Sequence, residues 1–587
     1  MKRESLTNQE IASLLRKVAA GYELKKANRF KINAYENAAE ASEHSDIDLK
    51  DLWQEKRLDQ LPGIGKSIAS HLDELFQKGK VEHFEKLFKS LPRAVFKLME
   101  VPGLGPKLAH KLSLGLGIKR KKDALKRLRK AAETGRIRGL EGFGEKSEKE
   151  ILQGLKELGR RGQRKPLILA DQISKEITAY LKKCPQVIRV DSLGSLRRKV
   201  STVGDIDLAV NSREPRKVIT WFKNYPLKKR LVEAGETKAR ILTKGNEQLD
   251  LMVETPEAYG SLLQHFTGSK QHNIHLREIA KRRGLSLSEH GISKKTKLLK
   301  FKDEKDFYNY LDMDWIPPEL REDKGEIEAA QQRKLPQLVK LTDIKGDLHL
   351  HSNFDIETSH DLGANSMERM VKEAKDLGYQ YLAFSEHNPS ISQHNSKDII
   401  SLIKRKRDKI DKINYSTKTK LFVFNSLELD IRPNGERTIP DKALKFLDFA
   451  IAAVHSSFRL NRREMTKRVL KGMNHPKVKI LAHPTGRMLS KRESYKLDWS
   501  KIFAFCRKKN KFLEINASPW RLDLPDFLVR EAINSGVKLV INTDSHALNQ
   551  MDFMKYGVSV ARRGWATRGD IINTLSYDRI KEVLLLN

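Results

Sequence analysis

Cysteine is almost missing from this sequence: Cys184 and Cys506 are the only two in 587 residues, and they lie far apart. That excludes a disulfide framework and a cysteine-rich zinc module, and it fits a reduced, cytoplasmic setting. Long apolar runs are missing as well. None approaches the roughly 18 residues of a membrane span, so no membrane-embedded segment is expected. The opening Met-Lys-Arg-Glu-Ser-Leu-Thr lacks the apolar core of a signal peptide. Aromatic residues make up only 7%, and acidic residues are outnumbered, 76 against 113 Lys and Arg, for a net charge of +37. Such an excess points to a polyanionic partner, nucleic acid first and an anionic membrane surface second. What is present is enough to build cores. Hydrophobic residues reach 39% and recur in runs to the last residues, which excludes wholesale disorder. At about 150 residues per domain the length suggests about four domains.

Residues 1–160 are expected to be helical, with apolar residues such as Ile11, Leu14, Leu15 and Val18 at helical spacing. One pattern repeats: Leu-Pro-Gly-Ile-Gly at 61–65, Val-Pro-Gly-Leu-Gly at 101–105 and a weaker Leu-Glu-Gly-Phe-Gly at 140–144, each before a helical run. A Gly-x-Gly turn entering a helix leaves backbone N–H groups free to meet a phosphate, and a side chain there would block the approach. One copy alone reads equally well as a plain helix corner. Repetition in so basic a chain points to DNA-backbone binding through Gly63, Gly65, Gly103 and Gly105, in the manner of helix-hairpin-helix motifs, which hold the sugar-phosphate chain without reading sequence. The stretch 119–130 holds eight cations and one anion, and 159–165 reads as a linker.

From 166 to 320 the pattern is mixed α/β, with a helix at about 170–182 and strands near 187–193, 205–211, 238–243 and 248–253. The segment 194–207 reads Gly-Ser-Leu-Arg-Arg-Lys-Val-Ser-Thr-Val-Gly-Asp-Ile-Asp. Asp205 and Asp207 alternate, so both face one side of a strand. Two such carboxylates repel unless a cation joins them, and oxygen ligands with room for water suit Mg²⁺. Asp250 is placed to add a third carboxylate, and Gly194 and Ser195 with Arg198 to hold a triphosphate. The bland alternative is an acidic strand edge. Residues 321–340, charged and Gln-rich, read as a second linker.

After residue 340 the regularity changes again. Nine of the 17 histidines follow residue 345. Seven apolar, strand-like runs end near His349/His351, Glu386/His387, Glu428, His455, His483, Glu514/Asn516 and Asp544/His546, with helical stretches between most of them. Strand-helix alternation implies parallel strands, and polar groups at the ends of successive strands are what a (β/α) barrel site requires, here with seven strands. Any single histidine here would more often be structural. A set of imidazoles and carboxylates suits Mn²⁺, Zn²⁺ or Fe²⁺.

These motifs, with His-Phe-Thr-Gly-Ser at 265–269, His-Pro-Thr-Gly-Arg at 483–487 and Ala-Arg-Arg-Gly-Trp at 561–565, carry a resemblance. Residues 1–320 resemble a family X DNA polymerase and 341–587 a polymerase-and-histidinol-phosphatase (PHP) domain, a fusion similar to bacterial and archaeal family X polymerases. The resemblance implies a multidomain chain. Its layout is a helical lyase-like domain with the first helix-hairpin-helix (1–90), a fingers-like helical DNA-binding region (91–160), an α/β nucleotidyltransferase palm (161–260), a thumb (261–320), a linker (321–340) and a (β/α)7 PHP barrel (341–587). It implies Asp205, Asp207 and Asp250 around Mg²⁺ or Mn²⁺, with Asp250 helping to activate a primer 3′-hydroxyl. Gly194, Ser195, Arg198 and Gly204 would hold the nucleotide, Phe266 and Gly268 would line its sugar pocket, and Asn273 would touch the base edge. Arg277 would contact the template strand, and Lys31 and Tyr35 the 5′-phosphate side of a gap. In the barrel it implies a three-metal phosphoesterase using His349, His351, His387, Glu428, His455, His483, Asp544 and His546, with Asp355 or His360 completing the set.

The chain departs from the family pattern in places. His265 stands where Tyr is usual, Met252 where Arg is frequent, Glu386 where Asp is usual and Ile356 at the common ninth-ligand position. At the position of the usual lyase lysine stands His71, which cannot form a stable imine, and Lys66 is offset from it. Arg487 and Arg521 are candidates for substrate phosphate or for surface roles. The leading expectation is a gap-filling repair polymerase with a metal-dependent 3′-end processing activity (3′→5′ exonuclease, 3′-phosphatase or abasic-site endonuclease). It would act as a monomer on gapped or nicked DNA with deoxynucleoside triphosphates, cytoplasmic and nucleoid-associated in a prokaryote. Its rivals are a PHP nuclease whose polymerase half only binds DNA, and an end-binding scaffold with two dead metal sites.

Overall fold

The computed structural model describes residues 6–44, 49–61, 63–101, 103–156, 164–358, 361–416 and 421–585. The chain divides into two compact units, Met1–Gln163 and Arg164–Asn587. No helix among the described residues is long and apolar enough to cross a membrane.

The described part of the first unit is helical, with two cores. One is built from Ile11, Leu15, Tyr35, Leu72 and Phe84 among others, the second from Val95, Leu112, Leu128 and Ile151 among others. The first helix, Asn8–Leu24, opens on a capping box: Thr7 accepts from the Glu10 amide and the Glu10 carboxylate accepts from the Thr7 amide. The three Gly-x-Gly turns are copies of one another. Ile64, Leu104 and Phe143 each donate their N–H to the carbonyl three residues earlier, at 2.9, 3.0 and 3.0 Å. In each, the first glycine has positive φ (94°, 88° and 83° at Gly63, Gly103 and Gly142), which side chains resist. Most of the expected linker at 159–165 lies outside the described residues; Arg164 and Lys165 already belong to the second unit, where Lys165–Pro166 pairs with Thr202–Val203.

The second unit begins with the helix Leu167–Leu181 on a five-stranded sheet. Its strand order is Arg189–Ser192, Ile206–Asn211, Gln248–Glu254, Lys238–Thr243 and Lys228–Ala234. The last of these, at the sheet edge, is absent from the sequence reading because its alternation of Lys, Arg and Glu with few apolar residues carries no core face. Two helices, Tyr259–Thr267 and Lys270–Arg282, a small antiparallel sheet (285–299) and the helix Glu304–Tyr310 follow.

The stretch 321–340 is not a free linker. Arg321, Glu326, Ile327 and Ala330 are fully buried, and the helix Glu326–Gln331 packs into the same core as Leu276 and Phe307. Composition misleads here because the charges are paired inside: Arg321 Nη1 lies 2.5 Å from Glu304 Oε1, and Glu326 Oε1 2.6 Å from His272 Nδ1.

The remainder is a barrel of seven parallel runs: Gly346–Leu350, Tyr381–Phe384, Phe422–Asn425 continued as Glu428–Asp430, Ala450–Ala453, Val478–Leu481, Phe512–Asn516 and Leu539–Asn542. Parallel bridges His387↔Glu428 and Leu350↔Ser545 join the two sheets and close the ring. The break at 426–427 splits the third run. Every run ends at the same mouth, so the residues just past the strand ends converge there.

Candidate catalytic sites

Asp207 and Asp250 sit opposite each other in the parallel pairing of Ile206–Asn211 with Gln248–Glu254. Asp205 precedes the strand, in the exposed bend with Gly204, rather than lying on it. Burial, then Asp250 and Asp205, push the Asp207 carboxyl up to about 7; this crowding of negative charge is what a divalent cation relieves. Gly194 could be no other residue without displacement: its φ is +54°, and a Cβ would fall 2.7 Å from Asp207 Oδ2. The Leu193 N–H donates to the Asp207 carbonyl at 2.8 Å, tying this turn to the carboxylate strand.

Ser195 lies in the four-residue helical turn Gly194–Arg197, and Arg198 follows it. Arg198 donates from Nε to Glu322 at 2.9 Å and from Nη1 to the Thr267 carbonyl at 2.8 Å. Asn273 Nδ2 donates to the His265 carbonyl at 2.8 Å, and a Cβ on Gly268 would strike His272 and Asn273. The His265 ring, whose pKa is lowered chiefly by burial, lies 3.9 Å from Glu289 and packs against Phe266. Arg277 is exposed on Lys270–Arg282. One member of this site escaped sequence reading. Arg240, on the neighbouring strand, meets Asp250 from both sides of its fork.

At the barrel mouth, Glu428 is the hub. Its Oε2 lies 3.3 Å from His349 Nε2, 3.6 Å from His351 Nε2 and 3.0 Å from His387 Nδ1, and its Oε1 is 3.3 Å from His455 Nε2 and 2.8 Å from His483 Nε2. Asp544 Oδ1 reaches His351 at 3.2 Å and His349 at 3.5 Å, and the His546 ring stacks on His351 at 4.1 Å. Among the described residues three ligand groups result: His349, His351, Glu428 and Asp544; His387, Glu428 and His455; and His351, His387 and His546. His349 Nε2, His351 Nε2 and Glu428 Oε2 are buried with no hydrogen-bond partner. Such groups are costly unless a ligand takes them, and the donor set fits transition metals.

Supporting groups surround the set. Glu514 takes His349 Nδ1 at 2.7 Å, the His483 N–H at 2.8 Å and Asn542 Nδ2 at 3.0 Å, while Asp430 takes His455 Nδ1. These fix which ring nitrogens face inward.

Of the two ninth-ligand candidates, Asp355 does not join the set, sitting in an exposed turn and accepting from the Glu357 N–H at 2.7 Å; His360 lies outside the described residues. Glu386 faces away, bonded to Ser352 Oγ at 2.6 Å and to buried Lys406 Nζ at 2.5 Å. Arg487 is spent on the carbonyls of Arg521 and Leu522, so it is neither on the surface nor aimed at a phosphate. Arg521 differs: its Nη1 is buried without a hydrogen-bond partner and its Nε lies 3.9 Å from Asp544 Oδ2.

In the first unit, Gly65 and Gly105 begin their helices with nothing near the place of a Cβ, so the amides are open to an approaching group. Gly144 in the third copy is equally open. Tyr35 is buried, not presented to a ligand, because its hydroxyl bonds His71 Nδ1 at 2.9 Å. His71 stacks on His83 at 5.4 Å, and Lys31 Nζ lies 4.2 Å over the Tyr22 ring.

Family models match in the same places: a helix-hairpin-helix domain at 6–81, a SAM-like helix-hairpin-helix tandem at 95–157, the DNA polymerase beta thumb at 262–322 and a PHP domain at 347–518. A Bacillus subtilis (strain 168) protein, the "DNA polymerase/3'-5' exonuclease PolX", is 35% identical over 583 residues, covering 99% of each chain. The DNA polymerase lambda of Rattus norvegicus is 25% identical over 40% of each chain. A "Probable phosphatase" of Caldicellulosiruptor saccharolyticus is 25% identical over 31% of this chain and 74% of its own. A palm with register-matched aspartates and a seven-stranded histidine barrel on one chain, matched end to end by such a relative, make this chain a member of the PolX family, the family X DNA polymerases that carry a PHP domain.

Proposed function

We propose that the chain is a DNA-directed DNA polymerase that fills short gaps during repair and trims 3′ ends with a metal-dependent 3′→5′ exonuclease site in its barrel. The observation that carries the polymerase half is the pairing of Asp207 with Asp250 on adjacent strands beside Gly194. Asp205, Asp207 and Asp250 would hold Mg²⁺ or Mn²⁺, which when bound supplies charge stabilisation for in-line phosphoryl transfer. Ser195, Arg198 and Gly204 hold the triphosphate. Phe266 and Gly268 bound the sugar, Asn273 meets the base edge and Arg277 the template. The turns at Gly63/Gly65 and Gly103/Gly105 grip the DNA backbone, and Lys31 lies on the 5′-phosphate side of a gap.

In the barrel, His349, His351, His387, Glu428, His455, His483, Asp544 and His546 would hold Mn²⁺, Zn²⁺ or Fe²⁺, which supply an activated water and a phosphate clamp. Arg521 is aimed to hold the phosphate while Glu514 and Asp430 fix the ring orientations. We read the protein as a monomer acting on gapped or nicked DNA with deoxynucleoside triphosphates, in the cytoplasm.

The test is incubation with a gapped duplex and Mg²⁺ or Mn²⁺, with and without nucleotides. Asp207→Ala should abolish extension and keep trimming. His349→Ala with His351→Ala should abolish trimming and bound metal and keep extension. Extension by Asp207→Ala at the wild-type rate would overturn the polymerase assignment, and unchanged trimming by the double variant would overturn the nuclease assignment.

A further inference from the structure

One carboxylate joins the nucleotide side of the palm to the barrel. Glu322 Oε1 accepts from Arg198 Nε and from Arg563 Nη1, each at 2.9 Å. Arg563 Nη1 also donates to the backbone carbonyl of Arg198 at 3.0 Å, and its Nη2 lies 2.7 Å from Asp526 Oδ2. Arg563 is the last residue of the helix Met554–Arg563, which follows the final barrel strand. Arg198 follows the turn Gly194–Arg197 that stands against Asp207. The arginine side chains are only 7% and 12% exposed, so little solvent screens the contact.

The donors can be counted. Arg198 directs Nε to Glu322 and Nη1 to the Thr267 carbonyl. Beyond these two bonds the guanidinium has three further N–H groups, one on Nη1 and two on Nη2, to offer an outside oxygen. Arg563 is itself charge-paired with Asp526, so what it supplies here is placement: it holds the Glu322 carboxylate that Arg198 Nε meets, and its bond to the Arg198 carbonyl fixes the backbone from which the Arg198 side chain projects.

We propose that Arg563, a residue of the barrel, is a positioning residue for the polymerase reaction, holding Arg198 through Glu322 and through the Arg198 carbonyl so that the guanidinium faces the incoming triphosphate. This rests on the reading of Arg198 as a triphosphate contact. The barrel then contributes to nucleotide affinity without touching the nucleotide, through a device separate from its own metal centre.

The experiment uses the full-length chain and steady-state insertion into a one-nucleotide gap. Arg563→Ala should raise KM for the nucleotide about tenfold, with kcat within about threefold of wild type. Arg563→Lys should recover part of the loss. Glu322→Gln should give a similar KM, and the double variant should be no worse than the poorer single, since the two residues act on one target. An unchanged KM in Arg563→Ala overturns the proposal, as does a fall in kcat that merely follows a lowered melting temperature. If Arg563→Ala does not fold, Arg563→Gln and Arg563→Lys are judged by the same KM criterion. Arg198→Ala separates the two readings: if its own KM is unchanged, the assignment of Arg198 to the triphosphate is wrong and the role of Arg563 falls with it; if its KM rises while that of the Arg563 variants does not, only the present inference fails.

Discussion

Arg240 Nε lies 2.6 Å from Asp250 Oδ1 and its Nη2 2.8 Å from Asp250 Oδ2, a two-point contact between adjacent strands. The fork fixes the plane of the carboxylate beside Asp207. Arg240→Ala is expected to lower the rate of nucleotide insertion roughly tenfold or more. Arg240→Lys should be intermediate, because an ammonium supplies charge without the fork. Single-turnover insertion checks this, and a wild-type rate in Arg240→Ala would show that Asp250 needs no such support.

Glu514 holds His349 Nδ1 and the His483 amide from behind the metal centre. Glu514→Gln keeps the size and loses the charge. Metal affinity of the barrel should fall by roughly 10–100-fold, with trimming reduced in step and extension retained. Metal titration of the stripped protein followed by elemental analysis measures it; equal affinities would reduce Glu514 to a packing residue.

His71 stands where the family's lyase lysine would be, its ring bonded to Tyr35 and stacked on His83. Five helical residues separate it from Lys66, roughly 140° around the helix, so Lys66 faces elsewhere. The full chain is expected to give little or no borohydride-trapped adduct with a pre-incised abasic site. Strong trapping lost in Lys66→Ala would refute this and identify the nucleophile.

Glu304 is buried yet held down to about 2, burial opposing and Arg321 and Arg197 prevailing. A carboxylate whose folded pKa lies below its unfolded value contributes stability above the unfolded pKa and loses it as pH falls through the folded one. The stability difference between wild type and Glu304→Gln should therefore be full above about pH 4.5 and shrink toward pH 2. Urea titrations across that range test it, and a difference independent of pH would mean that the ion pairs contribute nothing through charge.

Much of this was legible in the chain itself. The Gly-x-Gly turns repeat as a string, and the barrel ligands fall just past apolar runs, so local pattern alone marks them. Contacts that depend on strand register or on helix facing do not leave such marks. Arg240 reaches Asp250 only because an antiparallel pairing sets them opposite each other. Lys406 sits in Ile-Lys-Arg-Lys-Arg-Asp-Lys, which reads as a solvated face, yet it is buried against Glu386. Tyr35 looked like a ligand contact because the resemblance supplied its role; the packing of Tyr22, His71 and His83 around it was invisible in one dimension. The charges of 321–340 read as a linker because their partners lie as far as 241 residues away along the chain.

The interruption of the third barrel run delivers Glu428 to the centre of the mouth, where its two oxygens are shared among five imidazoles. Occupants of neighbouring positions cannot then be independent tenants. An ion held by one oxygen would draw electron density from the other and repel the next ion. The positions should therefore fill with falling affinity, and a chelator should empty them in separated steps rather than along one steep curve.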